Sequence, residues 1–298
     1  MKSRSALWLS LCLLGSLMLW PGMAPAQGDS PAATSGSPHL TCAEMEEFLR
    51  TADVGALKNI PKGVTLPKRA TLTSKDGKFT HDAAIQTIHE SKNSFTTSRG
   101  TELNFKDWWE FNVAGYELAK LLGLNMVPPY VDRKEAGRSG SFSWWIDNSI
   151  MELDRLHKKM DPPDLDFWNK QMYTLRVFNQ LVENTDDNLT NVMISDLNSK
   201  EWRIWMIDFT RAFRTQKNIG NVKNLVQCDR RLLAKMRELD KPTLKEHMGR
   251  YLTSMEIDGL LARRDKIVKF FDDEVKKKGE GAVLFDLPQT SEACGVGL

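Results

Sequence analysis

The chain has 298 residues, of which 41 are Lys or Arg and 39 are Asp or Glu, for a formal net charge of +2. So close a balance gives no electrostatic reason to expect nucleic acid or an anionic membrane as partner. The five histidines have no metal-ligand spacing and no serine or cysteine partner, so neither a histidine metal site nor a nucleophilic triad has support.

In chain order, Lys2 and Arg4 precede an apolar run over 6–20, and Ala24-Pro25-Ala26 stands before Gln27. That order of charged, apolar and small residues predicts a cleavable signal peptide over 1–26 and a secreted or periplasmic protein. The run is about 15 residues, whereas a membrane-spanning helix needs about 20. Nothing later is long and apolar enough to span a membrane, so no transmembrane segment is expected in the mature protein. Leu9-Ser10-Leu11 lacks the small residue that a lipidated Cys12 would need. Cleavage leaves Cys42, Cys228 and Cys294, so at most one disulfide forms within the chain. An oxidising compartment permits a Cys42–Cys228 bridge without requiring it.

Residues 27–40 are rich in Ser, Pro, Ala and Gly and are expected to be a disordered spacer. About 270 residues follow the signal, enough for one large domain or one domain with two lobes. A short helix is expected over 43–50, then strands over 64–72 and 83–88 around the turn Ser74-Lys75-Asp76-Gly77. Trp108, Phe111, Leu118, Leu121 and Leu122 predict a helix within 105–123, ended by Gly123 and Pro128-Pro129. Two further strands are expected over 130–133 and 142–146, around Ala136-Gly137-Arg138-Ser139-Gly140. Beyond Pro162-Pro163 the pattern becomes helical: Met172, Leu175, Phe178 and Val182 share one face of a helix over 167–182. Short strands over 191–195 and 202–207 interrupt it, and helices over 230–239, 244–253 and 255–278 complete it. The expected fold is α+β, a kinase-like domain over 41–287 with a strand-rich N-lobe (41–150) and a mostly helical C-lobe (151–287), then a loose tail over 288–298.

The chemistry concentrates in Asn184-Thr185-Asp186-Asp187-Asn188-Leu189-Thr190-Asn191 and in Met206-Ile207-Asp208-Phe209. Phosphoryl transfer needs one carboxylate to orient the attacking hydroxyl. It also needs a carboxamide and a second carboxylate to hold a divalent ion against the nucleotide phosphates. Asp186, an Asn five positions on, and Asp208 at the end of the next strand fit that requirement.

These two segments resemble the catalytic and metal-binding loops of the kinase-like superfamily. Asn184-Thr185-Asp186 with Asn191 is similar to the Asn-Thr-Asp stretch of type II phosphatidylinositol 4-kinases, Ile207-Asp208-Phe209 to that of the 3-kinases, and the pair to HipA-type toxin kinases. The resemblance implies ATP and Mg²⁺ or Mn²⁺ as cofactors, Asp186 as catalytic carboxylate, and Asn191 and Asp208 as metal ligands. It implies Met151-Glu152-Leu153 as the adenine-contacting linker, through Met151 and Leu153. The match departs at Ala83-Ala84-Ile85-Gln86, where active kinases end the strand in a lysine that meets the phosphates. Gln86 offers a hydrogen bond there but no charge. Lys68, by alternation on the face of Ala70 and Leu72, is the candidate replacement, unless Pro67 breaks the strand and leaves it exposed. The helical acidic partner of such a lysine is expected at Glu110 or Glu117, with Asn112 nearer the expected place. Asp187 stands where the 3-kinases carry Arg, Gly63 is a lone glycine where a Gly-rich loop is usual, and Arg211 and Arg214 are placed either to meet phosphate or at the surface.

The leading reading is an exported kinase-like phosphotransferase acting on a protein, lipid or sugar acceptor. One alternative is an inactive pseudokinase acting as a binding protein, favoured by Gln86 and by the scarcity of ATP outside the cytoplasm. Another is a nucleotidyl transferase on the same fold.

Overall fold

Residues 40–60, 67–97 and 100–288 are described by a computed structural model and fall within one compact unit. The expected signal peptide, nearly all of the spacer, Gly63 and the tail beyond Pro288 lie outside the described residues.

Helix α1 (Cys42–Thr51) starts at a Thr41–Glu44 capping box, which satisfies two otherwise orphaned N–H groups, and buries Met45, Phe48 and Leu49. Strands β1 (Asp53–Asn59), β2 (Lys68–Thr73) and β3 (Thr80–Gln86) follow. The β2–β3 turn is where the sequence places it, and Gly77 takes the left-handed φ of 72° that the turn needs. Strands β4 (His89–Thr97) and β5 (Gly100–Trp108) then form a separate two-stranded hairpin. Helix α2 (Glu110–Leu121) therefore starts later than the apolar pattern over 105–123 suggests. Phe105 and Asp107 are buried while Lys106 and Trp108 are less so, a period of two that makes this stretch a strand.

Strands β6 (Tyr130–Glu135) and β7 (Arg138–Trp144) complete an antiparallel sheet in the order β1-β2-β3-β7-β6. Helix α1 covers one face, packing Phe48 and Leu49 with Leu72, Ile85, Phe142 and Trp144.

The second half begins at β8 (Ile150–Met151), α3 (Glu152–His157) and α4 (Leu165–Val182), whose N-cap is Asp164. Strands β9 (Val192–Ser195) and β10 (Arg203–Met206) join β8 in a small sheet ordered β10-β9-β8. Strand β11 (Cys228–Asp229) pairs with β12 (Leu284–Phe285), and between them run α5 (Arg230–Glu238), α6 (Lys241–Met248), α7 (Ser254–Lys278) and α8 (Glu280–Val283). Phe178 and Leu181 of α4 meet Leu260, Ile267 and Phe271 of α7 in the larger core. Among the described residues no helix is long and apolar enough to cross a membrane.

The Cys42–Cys228 bridge does not form. Cys228 is a buried free thiol on β11, whereas Cys42 at the start of α1 is disulfide-bonded, so its partner is another cysteine. Burial among apolar neighbours raises the Cys228 thiol above its ordinary value and keeps it protonated.

Candidate functional site

Helix α4 stops at Glu183, which takes a left-handed φ of 49°, and the chain turns into the loop that carries Asp186. Asn184 Oδ1 accepts the Asp186 N–H at 3.0 Å, an Asx turn. The Asn188 and Asn191 amides both donate to the Asp186 carbonyl at 3.1 Å. With its Nδ2 committed in this way, Asn191 has its Oδ1 left to act as an acceptor. The Ile207 N–H donates to the Asn191 carbonyl at 3.1 Å, bringing the end of β10 beside the Asp186 loop. Asp208 follows with a left-handed φ of 60°, sparsely populated for a non-glycine residue and common where backbone strain serves a site.

The surroundings over-determine that conformation. The Phe209 N–H donates to Asn112 Oδ1 at 2.6 Å, and the Phe209 ring lies so close to α2 that a Cβ on Gly115 would sit 2.8 Å from it. The Thr210 hydroxyl donates to Asp208 Oδ1 at 2.8 Å.

A cleft of about 450 Å³ opens between the five-stranded and three-stranded sheets. Ala84 and Gln86 of β3 line it from one side, Met151, Met193 and Ile207 from the other, and Asn191 and Asp208 at its polar end. Leu153 also lines it, so both residues expected in the linker reach the cleft. None of the described residues lining it is a Lys, Arg or His.

Gln86 is paired with Asn112, whose Nδ2 donates to Gln86 Oε1 and, at 3.1 Å, to Ser141 Oγ. Both amides are buried, so a neutral pair stands where the resemblance implies lysine and glutamate. Glu110 lies elsewhere, its carboxylate 2.8 Å from His89 Nδ1, and Glu117 pairs with Lys120 at 2.8 Å. Lys68 donates to Asn59 Oδ1 across β1–β2 and is not among the residues lining the cleft.

Of three carboxylates close enough to act on one another, Asp107, Asp186 and Asp208, only Asp208 is among the described residues that line the cleft. Burial pushes Asp208 above its ordinary value, and the charges of Asp107 and Asp186 add to that shift against the opposing Thr210 hydrogen bond. Burial likewise raises Asp107, opposed by Thr210 and Arg211 and reinforced by Asp186. Among the described residues no three His, Cys, Asp or Glu side chains stand close enough to hold a metal ion unaided. The donor set nevertheless suits a hard divalent ion, which takes oxygen ligands and completes its shell with phosphate and water. Asn191 and Asp208 supply such oxygens, and Asp107 Oδ1 is buried without a protein partner.

Arg211 and Arg214 do not line the cleft. Arg211 spans Glu102 of β5 (3.1 Å) and Asp186 (3.5 Å), and Arg214 pairs with Glu102 and donates to the Lys106 carbonyl at 2.8 Å. Both guanidinium groups lie over the Phe105 ring, so the β4–β5 hairpin walls one side of Asp186. Below the loop, Arg263 of α7 is fully buried and donates to the Leu181 and Arg214 carbonyls and to Glu183 at 2.9, 2.8 and 2.9 Å.

Asp107 and Thr210 escaped the sequence reading. Beside Lys106 and Trp108, Asp107 reads as an ordinary acidic residue at a helix start, and its neighbours Asp186 and Thr210 are distant in the chain.

Neither a comparison with protein families nor one with curated proteins finds a match. Solved structures do match. A hydra Fam20 structure determined with sugar superposes with a TM-score of 0.62 at 13% identity, covering 82% of this chain and 92% of that one. A Golgi casein kinase superposes at 0.58 and 12% identity, covering 84% and 80%, and so does a structure of it with Mn and ADP bound. These matches support the kinase-like part of the sequence resemblance and do not confirm its phosphatidylinositol-kinase or HipA-type part. At such low identity they speak for architecture, and the architecture of this chain is kinase-like: a strand-rich lobe and a mostly helical lobe around a cleft.

Proposed function

We propose that this chain is an exported, metal-dependent phosphotransferase that binds ATP in the cleft between its two sheets and transfers to a hydroxyl of a protein, lipid or sugar. The observation that carries the reading is the Asp186–Asn191–Asp208 arrangement. Asn191 is tied to the Asp186 carbonyl, Ile207 is tied to Asn191, and Asp208 faces the same cleft. A divalent cation held by Asn191 and Asp208 supplies the positive charge that phosphoryl transfer needs. Asp186 accepts the proton of the acceptor hydroxyl and aims its oxygen. Met151, Leu153, Met193 and Ile207 form an apolar bed for the base.

The test uses the purified chain with fluorescent ADP and Mn²⁺. Asp208→Ala is expected to abolish metal-dependent nucleotide binding. Asp186→Ala should spare binding and remove turnover, because its role is to orient the acceptor. Lys68→Ala should leave nucleotide affinity unchanged, since its ammonium is committed to Asn59. Absence of any nucleotide binding with Mg²⁺ or Mn²⁺ would sink the reading.

One observation favours a second reading: the phosphate end carries the neutral Gln86–Asn112 pair and, among the described residues, no lining cation. A pseudokinase that binds nucleotide without turning it over fits that feature. Metal-dependent ADP binding with no phosphate or nucleotidyl transfer from ATP would select it.

A further inference from the structure

Asp107 stands outside every role assigned so far. It lies near the end of β5, is 8% exposed, and no protein donor among the described residues reaches its Oδ1. The Thr210 hydroxyl donates to Asp208 Oδ1 at 2.8 Å and also acts on Asp107, opposing the upward push of its burial. A hydroxyl carries one proton, so it serves one of the two carboxylates at a time. The other then faces a like charge, and Asp186 contributes a third. Backbone geometry fixes the arrangement, because the Trp108 N–H donates to the Thr210 carbonyl at 2.9 Å and locks β5 against the Asp208 segment. Two cations act on Asp107 and both are engaged elsewhere: Arg211 by Glu102 and Asp186, and Arg214 by Glu102. Buried carboxylates that outnumber their donors are relieved by a cation.

We propose that Asp107 is a further carboxylate of the divalent-cation site of Asn191 and Asp208, with Oδ1 accepting a hydrogen bond from a water on the cation. This rests on the phosphotransfer reading above. Acting through water agrees with the absence of a closed cage of three acidic side chains among the described residues. It also gives the neutral Gln86 a rationale: the positive charge missing from β3 is supplied by a cation held more firmly than Asn191 and Asp208 alone would hold it. Nucleotide binding should then be strictly cation-dependent.

The probe is Mn²⁺ in the presence of ADP, followed by loss of the free-ion signal in electron paramagnetic resonance, with melting of each variant in metal-free buffer alongside. Asp107→Asn keeps the volume and removes the charge. Its Mn²⁺ affinity should fall about tenfold or more, the usual effect of losing a group that supports a metal's ligands. Its metal-free melting temperature should match or exceed that of the wild type, because a like-charge contact is gone. Asp107→Glu, which restores the charge, should recover Mn²⁺ binding. Wild-type Mn²⁺ affinity in Asp107→Asn, with binding still lost in Asp208→Asn, overturns the proposal and leaves the phosphotransfer reading standing. A lower metal-free melting temperature in Asp107→Asn, unrelieved in Asp107→Glu, marks a structural role and also overturns it. No Mn²⁺ binding by the wild type with ADP overturns both.

Discussion

Asn112 has each end of its amide in use. Two N–H groups go to Gln86 and Ser141, and the oxygen takes the Phe209 N–H, all out of contact with solvent. Asn112→Ala removes all three bonds and opens no path for water, so buried polar groups lose their partners. Urea unfolding should show a loss of about 1–3 kcal/mol. Glu183 makes the opposite kind of contact. Burial pushes its carboxyl to about 7 although Arg263 lies 2.9 Å away, and burial also lowers Arg263 to about 10. Desolvation therefore outweighs the attraction within this pair. Because the folded value exceeds the ordinary 4.5, the protonated form is favoured by folding. The contribution is fully present below pH 4.5 and is lost as pH rises through 7. Relative to Glu183→Gln, the wild type should gain stability on acidification across that window by up to about 3 kcal/mol, at 1.36 kcal/mol per unit, read from denaturant midpoints at several pH values. That the Asp186 loop, Asn191 and the end of β10 meet was legible in the sequence, because two short segments at that spacing are what the proposed chemistry requires. The partnership of Asn112 with Gln86 was only half legible. It joins β3 to α2, and nothing local distinguishes a neutral pair from an acidic residue one turn away.

Among the elements, α2 shows most directly how packing holds the site. Gly115 is the point where the helix meets the Phe209 ring, at a separation no Cβ tolerates. Gly115→Ala must push the ring and the Asp208 backbone aside, since the neighbour is an aromatic ring packed against Phe178 and not a flexible chain end. We expect about 1–3 kcal/mol of destabilisation, together with weaker metal-dependent nucleotide binding than the loss of stability alone explains, checked by fluorescent ADP titration. The β2–β3 hairpin, β6–β7 and the long helices were legible because their turns and apolar periods are strong. The β4–β5 hairpin was not: β4 reads His-Glu-Ser-Lys-Asn-Ser-Phe-Thr-Thr, with hardly an apolar residue to betray alternation. What holds its partner β5 is tertiary, namely Phe105 beneath two arginines, Glu102 between them, and Lys106 against the buried Glu256 at 2.6 Å.

For the whole molecule, the two-lobed architecture was readable from the order of strand-rich and helix-rich stretches, whereas the disulfide was not, because pairing depends on distances between cysteines that spacing does not encode. One feature of the first lobe governs how it is built. Strand β3 pairs on one side with its neighbour in sequence, β2, and on the other with β7, while β4, β5, α2 and β6 all lie between them in the chain. A fragment ending at Glu135 therefore holds four of the five strands of the sheet yet lacks the one that joins β3 to β6. It should show no cooperative melting by circular dichroism, whereas the chain carried through α7 and β12 should.

During synthesis the same topology leaves the β3 edge, with Ala83 and Ile85, unpaired until Trp144 has emerged. Such an edge invites pairing with other chains. If the chain is exported as proposed, an incomplete sheet resists folding early and keeps the polypeptide threadable until the β7 strand that pairs with β3 has emerged.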